Sequence, residues 1–175
     1  TAYNIISSNN LSNGPDWGPL RMAPNAGWVT NHFMVLNDNV FVPHIDFRVS
    51  NGDAWTPENY NDQILLERNY FSRSGNIGMI NFANTNRKIV VRNNVFDGAE
   101  FPIHFKLDDQ GSINPDGSPK MNASDAFIYN NNITYPDAQN WIRIDNGVSL
   151  ERAYAFKNIV NGVCEKRTYL SEGGG

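Results

Sequence analysis

The sequence predicts an all-β chain folded as a right-handed parallel β-helix, a solenoid of about six coils with an asparagine ladder inside it. Three observations predict this. Six segments share one frame, the frame recurs at a coil-like period, and a second apolar strand follows each of them at a similar distance.

The six segments are YNIISSNNLS, HFMVLNDNVF, QILLERNYFS, KIVVRNNVFD, AFIYNNNITY and AYAFKNIVNG. Each is an apolar alternation that runs into an asparagine followed by an apolar pair. The key asparagines are Asn10, Asn39, Asn69, Asn94, Asn132 and Asn158, with separations of 29, 30, 25, 38 and 26 residues. With the asparagine as position zero, strand alternation turns positions −5, −3 and +2 inward. These hold Met34, Leu36 and Phe41, then Ile64, Leu66 and Phe71, then Ile89, Val91 and Phe96. Stacking the same positions from coil to coil would build aliphatic and phenylalanine ladders, the core such an architecture has. Asparagine at a recurrent bend tolerates left-handed backbone and can bond the main chain and the asparagine above it. The six asparagines are therefore expected to be a folding device.

The second strand lies in GPLRMA, HIDFRVS, IGMINFA, FPIHFKLD, NWIRIDN and, less distinctly, KRTYLSE. A helical repeat would need apolar spacing near 3.6, whereas these segments alternate by two. A sandwich would show hairpin links of two to five residues, and these links carry a whole strand. Residues 1–170 are expected to be one β-helix domain, or a piece of a longer solenoid, and 171–175 a flexible glycine-rich tail.

The repeated turn, as in Asn94-Val95-Phe96, together with the period, resembles the parallel β-helix proteins of the pectin-lyase-like superfamily over nearly the whole chain. That superfamily includes polysaccharide lyases, glycoside hydrolases, epimerases, tailspikes and adhesins. The resemblance implies a polysaccharide partner and an extracellular or cell-surface setting. It implies either an enzyme, with a lyase ahead of a hydrolase, or a non-catalytic rod such as an adhesin or fibre subunit.

Composition narrows the partners. A net charge of −4 gives no global attraction to nucleic acid. No apolar run approaches the ~18 residues of a membrane span. Cys164 is the single cysteine, so an intrachain disulfide and a multi-cysteine zinc site are excluded. No leader segment is recognised, and the chain reads as a mature or excised piece.

Aligning the second strands places polar residues on their outward positions: Arg21, Asp46 with Arg48, Asn81, His104 with Lys106, and Arg143 with Asp145. They come from five successive coils and would form one stripe along the axis. Arginine, lysine and histidine suit carboxylates or sulfates. Trp55, Trp17, Tyr60 and Trp141 could supply flat platforms for sugar rings. Lys106 and Arg143 on neighbouring coils provide a base and a cation for β-elimination on a uronate, with His104 as the alternative base. This looks like the arrangement in alginate- and chondroitin-cleaving lyases of the same fold. Those enzymes' calcium-binding acidic cluster has no counterpart beside Lys106, where Asp108-Asp109 opens a long insertion, and no cofactor is expected, with calcium the one open alternative. A hydrolase would want paired carboxylates, for which Asp108-Asp109 and Asp145 are faint candidates.

Positions −4 and +1 also carry apolar residues, and −4 should face outward: Ile6, Val35, Leu65, Val90, Ile128 and Tyr154. The +1 row is either a second outward stripe or buried by bends at the turn. The −4 row calls for self-association or a covering segment over Val35, Leu65, Val90 and Ile128. Of three Asn-x-Ser/Thr sequences, those at Asn10 and Asn132 are expected inside, which leaves Asn122 as a glycan acceptor.

Overall fold

A computed structural model of the chain describes residues 2–3, 6–8, 11–13, 20–21, 31–42, 45–48, 61–72, 80–83, 86–98, 102–106, 122–134, 141–145, 148–164 and 168–170. The described residues form three sheets in which nearly every strand pairing is parallel. Asn10, Trp17, Trp55, Tyr60, Asp108, Asp109 and the 171–175 tail lie outside them.

Each of the first five repeats contributes strands to the three sheets in the same order. The first sheet stacks Asn31–Asn37, Asn61–Glu67, Asn86–Arg92, Asn122–Tyr129 and Tyr154–Phe156. The second stacks Val40–Val42, Tyr70–Ser72, Val95–Asp97, Asn132–Thr134 and Ile159–Val160 above Leu11–Asn13. The third stacks Leu20–Arg21, Ile45–Arg48, Ile80–Ala83, Ile103–Lys106 and Ile142–Ile144. The registers carry equivalent positions onto one another, so Ile64 pairs with Ile89, Leu66 with Val91 and Phe71 with Phe96.

The inward rows fall where alternation predicts. Leu36, Ile64, Leu66, Phe71, Ile89, Val91 and Phe96 are all buried and join one apolar cluster with Ile80, Phe82, Ile103 and Phe105 of the third sheet. Phe71 stacks on Phe96 at 4.9 Å between centroids, and Phe82 on Phe105 at 5.2 Å. Identical aromatic side chains one strand apart meet face to face because parallel pairing holds them in register.

Between the first and second sheets the asparagine ladder turns the chain. The backbone N–H and Nδ2 of Asn39 both donate to Oδ1 of Asn69, and Asn69 does the same to Asn94. Asn94 repeats it onto Asn131, and Asn131 onto Asn158. The Nδ2 groups of Asn69, Asn94, Asn131 and Asn158 also reach back to a carbonyl of the preceding repeat, as from Asn94 to Leu66 at 3.0 Å. The fifth member is thus Asn131, not Asn132, and the frame of that repeat shifts by one residue. Asn132 is exposed and Ile128 is fully buried. The place expected for Ile128 in the outward row is taken by Phe127, which pairs with Val90 and Tyr154.

The left-handed residue of the bend is the one before the ladder asparagine. Asp38, Arg68, Asn93, Asn130 and Lys157 have φ of 56°, 53°, 55°, 54° and 55°. This conformation costs a non-glycine residue roughly 1–2 kcal/mol, and the ladder bonds beside it offset that cost. A second left-handed row, Gln63, Lys88, Asp125 and Arg152, bends the first-sheet strands near their start. The registers skip these residues, with Asp62 opposite Arg87 and Ile64 opposite Ile89.

The sixth repeat ends differently from expectation. Asn161 and Gly162, at φ 47° and 81°, close a tight hairpin between Ile159–Val160 and Val163–Cys164. The KRTYLSE segment does not extend the third sheet: Thr168–Tyr169 pairs antiparallel with Tyr154–Ala155, and Leu170 N–H bonds the Ala153 carbonyl. The +1 row is exposed: Val40, Tyr70 and Val95 are each 37% exposed and Ile159 44%. The strands of the second sheet are two or three residues long, and in them +2 points inward and +1 outward.

Candidate functional site

The third sheet carries the candidate site because its strands alternate strictly. Ile80, Phe82, Ile103 and Phe105 point into the core and are fully buried. Asn81 and His104, between them, stand on the opposite side of the strand. Register then lines up the polar positions: Arg21 with Asp46, Asp46 with Asn81, Asn81 with His104 and His104 with Arg143. Five of the residues read from the sequence as one stripe thus occupy one row across five repeats. Two residues further along, Arg48 and Lys106 both pair with Ala83, in a second row. The strand of Lys106 lies directly beside that of Arg143, as expected for the two.

The end of the row holds a cluster of three side chains. His104 Nε2 lies 2.9 Å from Asp145 Oδ1, and Arg143 Nε donates to the same oxygen at 3.2 Å. The main chain fixes the carboxylate in place, since Asp145 N–H donates to the Phe105 carbonyl and the Asp145 carbonyl accepts from Val148. An Nε2–H donating to that oxygen leaves Nδ1 as the basic nitrogen of the imidazole. Asp145, read from the sequence as a substrate contact, is therefore the group that orients His104. No local motif announces this, because the two residues are 41 positions apart.

Exposure is uneven along the row. Asn81 and His104 are buried although they face away from the core, whereas the Arg143 side chain is 53% exposed. Trp141, expected as a sugar platform, is buried beside the core and presents no open face. Among the described residues there is no group of three histidine, cysteine, aspartate or glutamate side chains that could hold a metal ion.

A second polar row escaped the sequence reading. His32, Asp62, Arg87, Ser124 and Glu151 stand in register in the first sheet, seven positions before each ladder asparagine. The Asp62 carboxylate is buried and takes Lys88 Nζ at 3.3 Å and Gln63 Nε2 at 3.2 Å. The repeated polar residue at position −7 was the available signal. Further along the same sheet, Arg92 Nε donates to Glu67 at 2.8 Å and a terminal guanidinium nitrogen reaches the Tyr129 hydroxyl at 3.2 Å. These contacts hold the Arg92 guanidinium above its ordinary value, the Tyr129 contact foremost. Among the described residues no helix is long and apolar enough to cross a membrane. No protein-family model, no curated protein and no solved structure matches this chain.

Proposed function

We propose that the chain is a right-handed parallel β-helix of the pectin-lyase-like kind that binds an acidic polysaccharide outside the cell along its third sheet. We further assign to that face a β-elimination on a uronic-acid polymer. The observation that carries both is the single row from Arg21 to Arg143, ending at the cluster of His104, Asp145 and Arg143. A polymer laid along the axis would meet one polar position every ~4.8 Å, one per strand.

In β-elimination a base removes the proton alpha to the uronate carboxylate, and its electron pair becomes the new double bond. The glycosidic oxygen leaves from the β carbon and takes up a proton. Arg143 is exposed and is assigned to hold the carboxylate, whose oxygens gain charge as the proton departs. His104, oriented by Asp145, is one base, and Lys106 on the same strand is the other.

Incubation with pectate, alginate and chondroitin tests this. The expected result is a rising ultraviolet absorbance from the unsaturated uronate product on at least one polymer. Arg143→Ala and either His104→Ala or Lys106→Ala should lower the rate ~10²–10⁴-fold while the fold is kept. No absorbance change on any of the three polymers would remove the lyase assignment.

The alternative is a non-catalytic adhesin or fibre rod. The exposed apolar row at Val40, Tyr70, Val95 and Ile159 favours it, since such a row suits lateral contact more than catalysis. Polysaccharide binding without turnover would be its signature.

A further inference from the structure

We infer that the outer face of the first sheet is a self-association surface, on which a second copy of this chain docks antiparallel about a two-fold axis. The face is the side opposite Ile64, Leu66, Ile89, Val91 and Ile128, all of which are buried in the core.

Two rows run along it. Val35, Leu65, Val90, Phe127 and Tyr154 form the first, each partly buried, and their registers are continuous. Asn37, Glu67, Arg92, Tyr129 and Phe156 form the second. Both rows change from small or polar to aromatic along the axis. A parallel copy would set small against small and large against large, leaving gaps and clashes between two flat sheets. An antiparallel copy sets small against large.

Placing the two-fold between the strands Asn61–Glu67 and Asn86–Arg92 brings complementary positions of the central four strands together. Leu65 then meets the partner's Val90, and Val35 meets the partner's Phe127. Glu67 meets the partner's Arg92, and Asn37 meets the partner's Tyr129. At the start of the same strands, Asp62 meets the partner's Arg87. In the left-handed rows, Gln63 meets the partner's Lys88, Asp38 meets the partner's Asn130, and Arg68 meets the partner's Asn93. No like charges oppose one another in any of these pairs. An isologous interface requires this self-complementarity.

A sugar chain fits this face poorly. The Phe127 and Tyr154 rings stack on each other at 6.1 Å and 17°, and Tyr129 and Phe156 at 5.0 Å and 6°. Their flat faces are turned to one another, and their edges point outward. Three strands of seven residues, one of eight and one of three, ~4.8 Å apart, cover roughly 500 Å² per copy, on the order of 1,000 Å² in the pair. That lies at the low end for a specific interface and implies a dimer that dissociates at low protein concentration. The third sheet is not part of this contact.

Sedimentation across a wide concentration range, with circular dichroism on every variant, tests the inference. The 19.7 kDa chain should move reversibly to twice its mass as concentration rises. Leu65→Glu should weaken the dimer by more than about tenfold. Glu67→Arg alone should weaken it also, because two arginines would then face each other. Glu67→Arg combined with Arg92→Glu should restore it, since both the intrachain and the interchain pairs are rebuilt with opposite sign. A chain monomeric at every concentration overturns the inference, as does a dimer indifferent to Leu65→Glu. If Leu65→Glu does not fold, the charge-swap series decides, and failure of the double swap to restore the dimer also overturns it.

Discussion

Asn94 shows what a single residue does in this fold. Its Oδ1 accepts from the N–H and Nδ2 of Asn69, while its own N–H and Nδ2 donate to Asn131 Oδ1. Removing the carboxamide leaves the Asn69 backbone N–H and the Leu66 carbonyl buried and short of partners. Asn94→Ala should therefore cost ~1–3 kcal/mol in urea or thermal unfolding. The same experiment separates two neighbours in the run Asn130-Asn131-Asn132. Asn131→Ala should cost a similar ~1–3 kcal/mol, whereas Asn132→Ala, on an exposed position, should stay within about 0.5 kcal/mol. Equal losses at both would mean that the ladder does not pass through Asn131. Three consecutive asparagines hid the frame from the sequence, but one spacing exposes it. Leu66 to Phe71 and Val91 to Phe96 are five residues apart, and so are Ile128 and Ile133.

At the scale of strands and rows, the two left-handed rows gather charges into cross-strand pairs. Arg68 forms a two-point contact with Asp38 at 2.7 and 2.8 Å, and Arg152 one with Asp125 at 2.5 and 3.0 Å. The Arg68 contact holds the Asp38 carboxyl below its ordinary value, and the Arg152 contact does the same for Asp125. A carboxyl depressed in the folded state contributes stability above its unfolded pKa, and that contribution fades as pH falls through the folded value. Both contributions should therefore be constant near neutrality and fade below about pH 4. Because the pairs are exposed, the effect should be small and should shrink further in salt. Thermal unfolding followed from pH 7 to pH 2 checks this, and Asp125→Asn should flatten part of the acid slope. An unchanged slope would assign the acid loss to other carboxylates. These rows were not legible in advance, because left-handed backbone at Arg68, Lys88 and Arg152 leaves no mark in residue type. The strands themselves were legible, since alternation by two is imposed by the pleat.

For the whole molecule, the sequence identified strand order, inward rows and the polar row of the third sheet, because each repeats a pattern several times. Besides the −7 polar row and the left-handed rows, it missed features that occur once: the frame shift at Asn131, the antiparallel ending at Tyr154–Ala155, and the carboxylate of Asp145 drawn to His104. A contact made once in the fold has no second instance to reveal it. The functional account depends on the third sheet, where Arg143 offers an exposed cation and shares the Asp145 oxygen with His104. Calorimetric titration with pectate, alginate and chondroitin at low and high salt tests that account most directly. Wild-type chain should bind at least one of these polymers, more weakly in high salt, and Arg143→Ala should weaken binding by about tenfold or more. Absence of binding to all three, or Arg143→Ala binding as tightly as wild type, would contradict it.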